Sequence, residues 1–102
     1  MNNEQEQRFD AAMMDIYRRA LREAKYNANR YLQMLHDHRG LGTAQILIHS
    51  PTVSEGYTAL WERHRLDLTV EALVLQAEWD GLFSDEERAI CRQRLLEYGY
   101  RF

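Results

Sequence analysis

Asp67 and Glu71 lie four residues apart, the spacing that puts two carboxylates on one helix face. Such a pair could share a proton and do acid–base work, with Arg63 and Arg65 close by in sequence. The competing interpretation is structural: Asp67 starts a helix and Glu71 finds an arginine. Glu71 stands out as the one charge in Leu68-Thr69-Val70-Glu71-Ala72-Leu73-Val74-Leu75. If buried there, it must be paired or protonated.

The other reactive side chains combine poorly. His36 and His38 are two apart and point in different directions on a helix. His49 and His64 are isolated, and one cysteine, Cys91, supplies no cluster for zinc. No metal or other cofactor is expected. Cys91 occupies an apolar helical position, where a free thiol is an inert small core residue. No glycine-flanked serine forms a nucleophile elbow, and no glycine loop cradles phosphate. An enzyme is not expected.

Basic residues offer a different chemistry. Arg18, Arg22 and Lys25 form a stripe on the first helix, and Arg30 follows. Glu62, Arg63 and Arg65 mark a charged joint near the middle of the chain. Residues 1–65 carry nine basic and eight acidic residues, whereas 66–102 carry four and eight. An anionic partner should therefore meet the first two thirds of the chain. The formal net charge of −3 argues against a surface built wholly for nucleic acid.

Helices must position these groups. Phe9, Ala12, Met13, Ile16, Tyr17, Ala20, Leu21 and Ala24 predict one face of helix 1, with Glu4 and Glu6 at its positive end. Asp15–Arg19 and Arg19–Glu23 have ion-pair spacing along it. Asn27 or Asn29 is expected to cap helix 2, whose inner face is Ala28, Tyr31, Leu32 and Leu35. Gly40 reads as its C-terminal stop. Thr43 is expected to cap helix 3, which Pro51 ends by forcing Ser50 out of helical geometry. Ser54 caps helix 4, which carries Val53, Tyr57, Leu60, Trp61 and His64 on one face, so Trp61 reads as core. Helix 5 starts near Asp67 or Thr69 and is apolar enough to be covered on several sides. Trp79, Leu82 and Phe83 form a connector. Ser84-Asp85-Glu86-Glu87 is a capping box opening helix 6, which buries Ile90, Cys91, Leu95 and Tyr98 and stops at Gly99. The tail Tyr100-Arg101-Phe102 is placed to fold back.

With 102 residues, 45% apolar, the chain suits one domain with a single core, residues 1–102. The fold class is all-α, a single compact orthogonal bundle of five or six short helices. No segment is long and apolar enough to span a membrane, the N-terminus lacks a signal-peptide pattern, and no internal disulfide can form. These features point to the cytoplasm.

Two stretches carry a resemblance. Residues 26–35, starting Tyr26-Asn27-Ala28-Asn29-Arg30-Tyr31, and residues 61–75, starting Trp61-Glu62-Arg63-His64-Arg65, resemble a family of small bacterial all-helical proteins of unassigned function. The likeness extends over nearly the whole chain and includes Phe83-Ser84-Asp85-Glu86-Glu87. It implies a context beside restriction or defence genes, and no catalytic residues. The family pattern has glycine where this chain has His64, which puts a tight left-handed turn there in doubt.

Together these observations predict a non-enzymatic protein–protein interaction module. Its role would be an accessory or inhibitory subunit in bacterial or phage biology, such as defence or counter-defence. The expected partner surface is Arg18, Arg22, Lys25, Arg30, Glu62, Arg63 and Arg65. The alternative is a nucleic-acid-binding regulator with a helix-turn-helix at residues 28–50. Its second helix holds no lysine or arginine, so Thr43, Gln45 and His49 would read bases alone. Arg30, Arg39 and the helix 1 stripe would then contact phosphate.

Overall fold

The computed structural model of the chain describes residues 4–102. The expected first stripe forms α1, Glu4–Glu23, which buries Phe9, Met13, Ile16 and Ala20 at helical spacing. Leu21, expected on that face, is exposed, because it lies a third of a turn beyond Ala20. Among the described residues every element is helical and no strand occurs.

The two helices expected here run on from one another as α2, Asn29–His49, joined through a break at a single residue. Arg39 sits at φ 62° and ψ −173°, a region where only glycine is comfortable. Asp10 of α1 holds this break. Its Oδ1 accepts the Gly40 N–H at 2.7 Å, and its Oδ2 accepts from Arg39 Nη2 at 2.7 Å. The cap for the second arm is thus a distant carboxylate, while Thr43 is fully buried and does not cap. Gly40 is required by close approach: a Cβ there would meet Asp10 Oδ1 at 2.7 Å and Asp10 Cα at 3.0 Å. The positive φ falls on Arg39 instead. At the start of α2 the N-cap is Ala28, with no side-chain bond. Asn27, one of two expected caps, accepts the Tyr17 hydroxyl at 3.0 Å instead. Ser50 leaves the helix at ψ 143° before Pro51, as its position dictates.

The short helix α3, Glu55–Glu62, is capped by Ser54, whose hydroxyl oxygen accepts the Tyr57 N–H at 3.0 Å. It ends on His64 at φ 60°. Arg65 N–H reaches Leu60 O at 2.8 Å and His64 N–H reaches Trp61 O at 3.0 Å. That bond pair defines the left-handed helix stop usually built on glycine. The turn therefore forms on a histidine, contrary to the doubt raised by the missing glycine. A 3₁₀ turn, Leu66–Leu68, leads into α4, Val70–Val74, which Thr69 caps. Only five residues long, α4 packs against α1, α2 and α5 and buries Val70, Glu71, Leu73 and Val74. The aromatic connector is a second 3₁₀ stretch, Ala77–Leu82. Helix α5, Asp85–Glu97, opens with the expected capping box: Glu87 N–H to Ser84 Oγ at 3.1 Å, Ser84 N–H to Glu87 Oε1 at 3.0 Å. It stops at Gly99, φ 84°.

Phe9 packs edge-on against Trp79 and Phe83, with ring centroids 5.2 and 5.4 Å apart, in the largest apolar cluster. A second cluster joins Ala20, Leu60 and Leu68, and a third joins Tyr57, Leu66 and Leu95. The chain is one all-α bundle. Because His64 holds a conformation that costs a non-glycine residue about 1 kcal/mol, His64→Gly should stabilise the fold by about that amount. A urea titration of the two proteins measures it.

Candidate functional site

The two charged patches expected from sequence meet at one end of the bundle. Glu23, in the last turn of α1, accepts from Arg19 Nε at 3.0 Å and from Arg65 Nη2 at 2.7 Å. Arg65 also forks onto Asp67 at 2.9 and 3.0 Å. Arg63 donates to Ala24 O at 3.1 Å and Ala59 O at 3.0 Å, and lies over the Tyr26 ring at 5.0 Å. Arg63 and Arg65 are therefore structural ties between α1 and α3. Of the expected partner residues, Arg18, Arg22, Lys25, Arg30, Glu62 and Arg63 are exposed and Arg65 is half-buried. Hydrogen bonds from Arg19 and then Arg65 pull the Glu23 carboxyl down to about 2. Asp67 is lowered in the same way by Arg65.

Beside this end lies an aromatic shelf. Trp61 is 43% exposed and meets Tyr98 edge-on at 5.3 Å. Tyr98 meets Tyr57 at 5.0 Å, and Tyr100 meets Phe102 at 5.1 Å. Arg92 stacks over Phe102 at 4.7 Å. The spacing in α3 had placed Trp61 in the core. With a helix of two turns, Tyr57 and Leu60 take all the core contact, and Trp61 is rotated outward. The tail folds back only in part: Tyr100 packs against the third cluster and Phe102 is 60% exposed.

The paired carboxylates diverge. Asp67 faces solvent on Arg65, whereas Glu71 is 2% exposed and accepts from Arg94 Nη1 at 3.0 Å. Arg94 also donates to Leu47 O at 3.1 Å, Ile48 O at 3.2 Å and Ser50 O at 2.6 Å. The two carboxylates thus serve different arginines and form no acid–base couple. Burial is the main cause that raises the Glu71 carboxyl above its ordinary range. Sequence reasoning required a partner for Glu71 but did not find Arg94, which lies 23 residues away and carries no local signal.

The remaining candidates are occupied or inert. His49 Nε2 pairs with Glu87 Oε2 at 2.8 Å, and no group of three His, Cys, Asp or Glu among the described residues could hold a metal. Cys91 is fully buried and its thiol is pushed up to about 12, so it stays protonated. For duplex reading, Thr43 is buried, whereas Arg30, Arg39, Gln45 and His49 are exposed, with Arg39 tied to Asp10 and His49 paired with Glu87. No helix among the described residues is long and apolar enough to cross a membrane. Compared with family profiles, curated proteins and solved structures, the chain matches none.

Removing Arg94 strands a buried charge. Arg94→Met should cost about 3–5 kcal/mol, and adding Glu71→Leu should recover most of that loss. The fold holds the Glu71 carboxyl above its unfolded value, so stability tied to this group falls as pH rises through that raised value. Urea unfolding of Arg94→Met should accordingly show a smaller deficit at about pH 4 than at about pH 8. At the basic end the sign reverses. Glu23 contributes stability above its ordinary 4.5 and loses it as pH falls toward about 2. Carbon-detected NMR titration should place Glu23 near 2 and find it higher in Arg65→Ala.

Proposed function

We propose that this protein is a non-enzymatic protein-interaction module, an accessory or inhibitory subunit whose contact surface is the aromatic shelf with its basic rim. The observation that carries this is the exposure of Trp61 against Tyr98 on the outside of a well-packed bundle. Tryptophan, tyrosine and arginine are the anchors of protein interfaces, since rigid rings bury large area at little entropic cost. Glu62 borders both the shelf and the groove that holds Arg30 and Tyr26, so the two surfaces adjoin. Exposed Arg18, Arg22, Lys25 and Arg30 favour a partner with an acidic margin. Bacterial or phage defence is the setting in which to look for it.

Support for the alternative, a nucleic-acid regulator, is thinner. Its second helix presents few free readers, and phosphate affinity would rest on the α1 stripe and Arg30.

Affinity purification of the tagged protein from its host, with and without nuclease, separates the two. A stoichiometric protein partner should survive nuclease. Trp61→Ala should lower its affinity by about thirtyfold, the equivalent of about 2 kcal/mol, with the melting temperature little changed. Arg22→Glu should slow association and steepen no fold defect. Recovery of nucleic acid that is lost with nuclease or high salt would replace the interaction reading with the regulator.

A further inference from the structure

A half-open cavity of about 290 Å³ lies between α1, α2, α3 and the start of α4. Its wall is mostly apolar and includes Ile16, Met34, Leu47, Leu60 and Val70. A dry protein cavity of roughly 150 Å³ already holds a benzene ring, so this one has room for a chain of six carbons and a head group.

Among the polar atoms of the wall the Tyr57 hydroxyl is buried without a hydrogen-bond partner, while several others are engaged within the protein. Tyr17 donates to Asn27 Oδ1, and Tyr31 donates to Met13 O at 2.7 Å. Thr69 donates to Leu66 O, and the Glu71 carboxylate is held by Arg94. Two charged side chains at the cavity remain exposed and without an ion pair: Arg30 of α2 and Glu55 of α3. Arginine can only donate and a carboxylate can only accept. A cationic or anionic head would meet one of them as a like charge. An uncharged head that both accepts and donates satisfies both and, unlike a zwitterion, brings no charge to the mostly apolar wall.

We propose that this cavity binds a neutral amphiphile, a short apolar chain ending in an amide-type head that bonds Arg30 through its carbonyl and Glu55 through its N–H. The site shares Arg30 and Tyr57 with the surface proposed for a protein partner, but it does not depend on that reading.

Gly56 supplies the means to block it. It lines the cavity, and a Cβ built there meets nothing nearer than the Tyr26 hydroxyl at 3.7 Å. A larger side chain at this position occupies the entrance without forcing the backbone to move. The probes are hexanamide, hexanoate and hexylammonium, titrated into the full chain and followed by backbone amide NMR. Hexanamide should shift the amides of Gly56 and Thr69 saturably and bind about tenfold more tightly than either ion. Gly56→Leu should abolish that binding. Arg30→Ala, an exposed position that keeps the fold, should weaken it about tenfold through loss of one charge-assisted hydrogen bond. Trp61→Ala should leave it unchanged. The proposal is overturned if no probe saturates, if either ion binds more tightly than the amide, or if Arg30→Ala binds hexanamide as the parent does.

Discussion

A single arginine closes the centre of this bundle. Arg94 of α5 meets the buried Glu71 of α4 and three carbonyls at the end of α2. Each contact answers a separate debt of burial. The Glu71 carboxylate needs a cation, and the last carbonyls of α2 lack the regular partners of the helix interior. The guanidinium fork matches both needs at once, and its charge also suits the negative end of the α2 dipole. A buried ion pair on its own adds little to stability, and it is tolerated when every remaining hydrogen-bonding atom is satisfied. Here the tie fixes how α2, α4 and α5 sit against one another.

The same device recurs around the molecule. Arg63 of the α3 stop donates to Ala24 O at the end of α1, and Arg88 donates to Val74 O at 3.3 Å at the end of α4 while pairing with Asp80. Short helices have a high proportion of unpaired terminal carbonyls, and a long planar cation reaches them across a gap that a lysine would bridge less well. This has a functional consequence. Several arginines that look like a free basic surface in sequence are consumed by the fold. Arg18, Arg22, Lys25 and Arg30 remain exposed on α1, just after it and at the start of α2.

Among the described residues, three other than glycine, Lys25, Arg39 and His64, hold positive φ. Two of them bracket the basic end, where α1 and α3 stop, and Arg63 and Arg65 tie those stops together. The third is clamped by Asp10. Backbone strain of this kind persists where tertiary contacts over-determine the local geometry, and each of these positions has such a contact or helix stop nearby.

The elements themselves were legible because their signals are local. The stripe from Phe9 to Ala20, the Ser54 cap, the Ser84–Glu87 box and the Gly99 stop each act within about one helical turn. The demand that Glu71 be paired was legible too, since a charge inside an apolar run has few outcomes. The answer to that demand was not. Arg94 and Asp10 act across 23 and 30 residues, and nothing in a linear string ranks one arginine or aspartate above another. The same reason explains Gly40, chosen for contact with α1 where its position suggested a helix stop. It also explains Trp61, whose helical spacing marked a face but not which side of a two-turn helix the core would take. Sequence alone determined an all-helical chain with its apolar stripes and the Ser54 and Ser84 caps. Only the tertiary structure decided which charges are spent inside, which rings face out, and where a cavity is left, because those depend on which faces meet.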